Sequence, residues 1–261
     1  MKINIARELK KYLPHLLQAQ KDNLNEADTL QRIVKVFDDV LGYDPFTEIS
    51  RELEVKCKYV DLAIKIDGTT KFFVEVKAAG KKLRDRHVAQ GELYAAEGNI
   101  QWVLVTNGVE WNLYHLTIDE GVDVERVFSV TLAPETIEKS AEMLALIHRN
   151  SVKAGAHEEF WEQQTALSAA SIGRAIFTED VLRFIRKEIR RRQEILIDVE
   201  DLGKAIHALF TPEARELIGP LKIHYNKRVV KQSEVQPSGA GDSTTVSESV
   251  SQSSDQPTNP P

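Results

Sequence analysis

Apolar positions along the first 45 residues recur at helical spacing. Ile5, Leu9, Leu13, Leu16 and Leu17 form one stripe, predicting a helix over about 3–20 with a candidate kink at Pro14. A second stripe, Leu30, Ile33, Val34, Phe37, Val40 and Leu41, predicts a helix capped by Asn25 and ended by Gly42 and Pro45. The period then changes. Residues 47–55 alternate weakly, and 59–66 (YVDLAIKI) alternate well, with Val60, Leu62, Ile64 and Ile66 expected on one face. Asp67-Gly68-Thr69 reads as a turn and 71–77 (KFFVEVK) as the returning strand. A helix over about 83–97 should follow, ended near Gly98. Residues 101–106 (QWVLVT) read as a strand buried on both faces. Asn107-Gly108 marks a hairpin to a strand over 109–116.

This order predicts an α/β fold, a mixed central sheet flanked by helices, over residues 1–130. Residues 131–231 read as a helical appendage with Phe160 and Trp161 in its own core. Thr178 should cap a helix over 178–192, and another should follow over 199–210. From about 232 to 261 the chain is Ser-, Thr- and Pro-rich without an aromatic residue. Such a segment cannot bury enough apolar surface to offset its ordering entropy, so it is expected to be disordered.

Charge and cysteine content narrow the picture. The net charge of −6 argues against a generally basic nucleic-acid binder. Four acids after Lys231, with no Lys or Arg among them, leave −2 for residues 1–231, so a local basic patch remains compatible with DNA. The single Cys57 excludes an internal disulfide and suggests no zinc site. No apolar run approaches the ~20 residues of a membrane span, and the first residues lack the pattern of a secretory signal. A cytoplasmic protein with no membrane association is expected.

The candidate chemistry lies in the hairpin. Centred on Gly68, the hairpin places Asp61 opposite Glu75, and alternation puts Asp61, Glu75 and Lys77 on one face. Two adjacent carboxylates repel, and a divalent cation relieves this. Mg²⁺ favours one or two carboxylates with water and phosphate oxygens as its other ligands. Lys77 is placed to orient a water or offset charge on a phosphorane. Lys81, Lys82, Arg84 and Arg86 follow closely and could hold a DNA backbone.

Asp61, the hairpin and Glu75-Val76-Lys77 resemble the D…(D/E)-x-K signature of the PD-(D/E)XK nuclease superfamily. LGYDP at 41–45 and FFVEVKAAGKKL at 72–83 are most similar to the N-terminal domain of type I restriction enzyme R subunits, over about residues 22–117. The resemblance implies a restriction-endonuclease-like core and a Mg²⁺-dependent deoxyribonuclease of restriction type. It implies Asp61 and Glu75 as metal ligands and Lys77 as a catalytic residue. It adds Glu26 to the metal shell, and Gln90 and Tyr94, which share one helix face at i, i+4 spacing, as further catalytic residues. The residue before Asp61 is Val60 rather than Pro. No G-x-x-x-x-G-K-[ST] loop is present, so a motor would be a separate helicase or specificity subunit. Double-strand cutting would favour a homodimer. The alternatives are a catalytically weak subunit binding DNA or a partner in a restriction complex, and an adaptor working through its helical half.

Overall fold

A computed structural model describes residues 5–55, 58–84, 100–118 and 121–223. The expected helix over 83–97, with Gln90, Tyr94 and Arg86, falls almost wholly outside them, as do Cys57 and the tail 232–261. The fold is α/β. Helices α1 (Ile5–Lys21) and α2 (Glu26–Asp39) precede three strands, β1 (Ile49–Val55), β2 (Lys58–Ile66) and β3 (Thr69–Val76). Then come β4 (Trp102–Thr106), β5 (Glu110–Ile118) and β6 (Val122–Thr131). The six strands form one mixed sheet in the order β1-β2-β3-β4-β5-β6. All neighbours are antiparallel except β3 and β4, which are parallel and so need a long crossover between them.

The local signals act as their chemistry requires. The Asn25 side chain accepts the Asp28 N–H at 2.8 Å and starts α2. Helix α1 runs through Pro14 without interruption and buries Ile5, Leu9, Leu13, Leu16 and Ala19. That stripe packs with Ile33, Val36 and Phe37 of α2 on one sheet face, against Leu62, Ile64, Phe72, Val74 and Trp111. Each such aliphatic or aromatic side chain contributes about 1.5–3 kcal/mol by leaving water.

The structure departs from the expected pattern in four places. Strand β6 was not expected. Its outer half is exposed and carries Asp123, Glu125 and Arg126, which blurs the apolar alternation. Val60 packs with Ala63, Phe73 and Leu53 rather than with Leu62 and Ile64. The reason lies in β1, where Glu52 adopts a left-handed φ of 48°. This turns Leu53 to the opposite face, and its partner Val60 follows.

The third departure is the hairpin. It closes on two residues, Asp67 (φ 50°) and Gly68 (φ 77°), not on a loop centred on Gly68. That turn pairs Ile66 with Thr69 and Lys65 with Thr70, a register that would carry Asp61 opposite Val74. Lys71 is an extra residue. Beyond this bulge Ile64 pairs with Phe72 and Leu62 with Val74, so Asp61 comes level with Glu75 after all.

The fourth concerns the helical half, which holds two packing units. Helices α3 (Ile137–Leu144), α4 (Arg149–Lys153) and α5 (Ala156–Ala166) follow the sheet, with a 3-10 turn, Ala145–Ile147, between the first two. They join the sheet's own core through Ile137, Leu144, Ile147 and Val152. Phe160 and Trp161 pack there too, and Trp161 stacks on His115 of β5 at 4.8 Å. They do not belong to a separate appendage core. Helices α6 (Ala169–Ile176), α7 (Glu179–Gln193), α8 (Val199–Leu209) and α9 (Pro212–Ile218) build a second cluster around Phe177, Leu182 and Leu202. The packing break therefore falls near Ser168, inside the segment 131–231. Thr178 stands at the N-cap position of α7, but its hydroxyl donates to Ala175 O instead of capping the helix.

Candidate metal and nuclease site

The backbone ladder between β2 and β3 stops at the pair Leu62–Val74. One residue further, the Asp61 side chain takes over. Its Oδ2 accepts the Val76 N–H at 2.7 Å, which brings the carboxylate over the β3 backbone between Glu75 and Lys77. Glu75 and Lys77 are 2% and 8% exposed, which is unusual for either residue type. Glu75 Oε1 pairs with Lys77 Nζ. Glu75 Oε2 is buried with no hydrogen-bond partner. The Lys77 N–H bonds Thr106 O of β4 at 2.8 Å, so the lysine backbone is held by the parallel strand.

The electrostatics follow from this burial. Loss of hydration pushes the Glu75 carboxyl up to about 7; the Asp61 and Glu26 charges add to the rise and Lys77 opposes it. Burial also raises the Asp61 carboxyl, against the Val76 N–H and Lys77, and Glu26 and Glu52 contribute. Two acids held above their ordinary values by burial and mutual repulsion form a site that gains from a cation.

Glu26 is the first residue of α2 and is exposed. Its place depends on two contacts made just after Lys77. The Ala79 N–H bonds Leu24 O at 3.0 Å, which ties the start of α2 to the end of β3. A Cβ at Gly80 would lie 2.0 Å from Asn23 Oδ1, so glycine lets the Asn23 side chain rest where it is. Asn107, 1% exposed, donates to Lys81 O at 2.9 Å and accepts the Val109 and Glu110 N–H groups. Sequence reasoning read Asn107 only as a turn residue. Its buried amide also anchors the segment carrying the basic residues.

Lys81, Lys82 and Arg84 are exposed, while Leu83 between them is buried. Gln90, Tyr94 and Arg86 lie outside the described residues. The structure thus brings together Asp61, Glu75 and Lys77, with Glu26 close enough for its charge to be felt by both acids. It adds Glu52, whose charge also acts on Asp61 and which lies between the pairs Arg51–Leu62 and Leu53–Val60. Its left-handed φ had no signal in the sequence, because non-glycine residues rarely adopt it.

The donor set suits a hard divalent cation: oxygen ligands only, one carboxylate oxygen without a partner, and a lysine beside it. Among the described residues, no group of three or more His, Cys, Asp and Glu side chains converges to enclose a metal ion. An ion held here would complete its shell with water or substrate oxygens, as Mg²⁺ commonly does. Among the described residues no helix is long and apolar enough to cross a membrane.

A search of curated proteins finds no match. Among solved structures, the chain is similar to the type IIG restriction endonuclease BpuSI, at 15% identity and a TM-score of 0.34. That likeness covers 67% of this chain and 23% of the other, so the chain spans less than a quarter of that enzyme's length. The family model described as "Type I restriction enzyme R protein N terminus (HSDR_N)" matches residues 25–126. Residues 25–126, which hold Glu26, Asp61, Glu75 and Lys77, are thus related to the N terminus of type I restriction enzyme R proteins.

Proposed function

We propose that the chain is a metal-dependent deoxyribonuclease of restriction type, with Asp61 and Glu75 as ligands of Mg²⁺. The observation that carries this reading is the buried, unpartnered Oε2 of Glu75 beside Asp61 and Lys77. Lys77 compensates Oε1 alone, and a bound cation or a proton would relieve the desolvation of the second oxygen. The family match to restriction enzyme R proteins supplies DNA as the substrate class.

A bound divalent cation would supply Lewis acidity toward a phosphodiester at this site. The remaining work falls to the protein. Asp61 is oriented by the Val76 N–H and cannot swing freely. Glu75 is held through Oε1 by Lys77, which leaves Oε2 as the oxygen without a partner. Lys77 is paired with Glu75 in this structure; once a cation shares the Glu75 charge, the ammonium is available to a phosphate oxygen or to the attacking water. Glu26 adds negative charge at the rim. Hydrolysis adds water across one P–O bond, with the proton passing to the leaving oxygen. Lys81, Lys82 and Arg84 are the candidate DNA contacts nearest in sequence, and Gln90 and Tyr94 remain candidates for orienting substrate.

The test is cleavage of supercoiled and linear DNA with Mg²⁺, beside EDTA, Asp61→Ala and Lys77→Ala. Metal-dependent cutting abolished in both variants is the expected result. Full-strength cutting by Asp61→Ala would refute the site. Binding without cutting in every divalent metal would point to a subunit that binds DNA or a partner, with a separate helicase or specificity subunit required.

A further inference from the structure

Helix α7 lies outside the segment related to restriction enzymes and belongs to the second packing unit. It carries six basic and three acidic residues, in a chain whose net charge is −6. Its apolar stripe, Leu182, Ile185 and Ile189, faces the cluster around Phe177 and Leu202. The acids on α7 are committed locally. Glu179 pairs with Arg183, and Glu188 takes both Arg191 and Arg192. Asp180 also has an interaction within the structure. Arg186, Lys187 and Arg190 have no ion pair or side-chain hydrogen bond among the described residues. Arg186 and Arg190 stand four residues apart, and Lys187 and Arg190 three, so the three charges share one side of the helix. Phe184, one turn earlier, is 71% exposed.

We infer that α7 is a second DNA-binding element, with Arg186, Lys187 and Arg190 contacting the phosphate backbone of duplex DNA. The assignment of DNA rests on the nuclease reading above; the surface itself rests on charge and geometry. The three cations lie within about one turn, roughly 6 Å of rise along a 15-residue helix, instead of converging on a pocket. A row of charges suits a polyanion with a phosphate every ~3.4 Å along each strand better than a single acidic group. A chain that is acidic overall repels DNA on average, so affinity must come from such a local stripe. The exposed Phe184 ring offers an apolar surface to a sugar beside the phosphates. Contacts of this kind position the protein on DNA without reading its sequence.

The experiment is duplex-DNA binding by the full chain in EDTA, followed by fluorescence anisotropy across a salt series. The triple variant Arg186→Gln/Lys187→Gln/Arg190→Gln is compared with Lys10→Gln/Lys35→Gln/Lys139→Gln, which removes the same charge from other helices. Circular dichroism confirms that both fold. Loss of three phosphate contacts should lower the salt slope by about 2.7 and the affinity at 0.1 M salt by roughly a hundredfold, in the α7 variant alone. An unchanged slope, equal losses in both triples, or no duplex binding by the parent would overturn the proposal. Tighter binding of single strands, abolished by Phe184→Ala, would overturn the duplex assignment. The nuclease reading fails separately: α7-dependent binding with no metal-dependent cleavage sinks that reading and leaves this one standing.

Discussion

Replacing Glu75 by Gln should stabilise the protein in EDTA at pH 8. Gln keeps the shape of a neutral Glu and removes the charge that burial and Asp61 disfavour. The carboxyl is raised from 4.5 to about 7 by folding. For an acid, this means that the folded state binds the proton more tightly than the unfolded state between those values. Stability contributed by Glu75 is therefore greatest below about pH 4.5 and is lost as pH rises through 7. The rise corresponds to about 3 kcal/mol at pH 8, already reduced by the attraction of Lys77, since each pH unit is worth ~1.4 kcal/mol. Over a chain of this size, that is a Tm increase of roughly 6–12 °C. The assay is thermal unfolding of parent and Glu75→Gln from pH 4 to 8, with EDTA and then with Mg²⁺ or Ca²⁺. The variant's advantage should vanish near pH 4. The metal should raise the parent's Tm by mass action and leave the variant's almost unmoved. A variant less stable than the parent at pH 8, or a gap independent of pH, would refute the reasoning that Lys77 only partly offsets the buried Glu75 charge.

Three further outcomes follow from other contacts. Gly80→Ala should push the exposed Asn23 side chain aside at a cost of about 1 kcal/mol or less, and adding Asn23→Gly should remove that cost, as read by melting. Arg149 holds the buried Glu48 carboxylate at 2.7–2.8 Å and keeps it below its usual value. Arg149→Ala should cost about 2 kcal/mol near neutral pH, and the loss should shrink as acid protonates Glu48, which denaturant unfolding at pH 7 and pH 3 would show. His157 of α5 is buried against Trp102, neither ring nitrogen makes a hydrogen bond, and burial lowers its proton affinity. A group with that shift contributes stability above its ordinary value of 6.5 that is lost as pH falls, so His157→Phe should flatten the decline in Tm between pH 7 and 5.

The sequence by itself determined the elements that depend on neighbours in the chain. The apolar stripes of α1 and α2, the Asn25 cap and the alternation through Ile64 and Phe72 each express a local period. The pairing of Asp61 with Glu75 and Lys77 was legible because both strands had clear parity and the turn between them was short. The route to that pairing was not legible. A two-residue turn alone sets Asp61 against Val74, and only the Lys71 bulge restores the alignment. Such bulges depend on how twisted strands seat on a core, which no local pattern encodes. The left-handed Glu52, and the turning of Leu53 and Val60 with it, has the same origin. Strand β6 escaped notice because an edge strand half open to water loses its apolar alternation. Phe160 and Trp161 read as the core of a helical appendage, but they pack in the sheet's own core, where Trp161 stacks on His115, a contact between residues far apart in sequence that no local pattern announces. Above all, the sequence placed two acids and a lysine together but could not give their state. Burial in the tertiary structure decided that, by withdrawing water from Glu75 and leaving one of its oxygens without a partner.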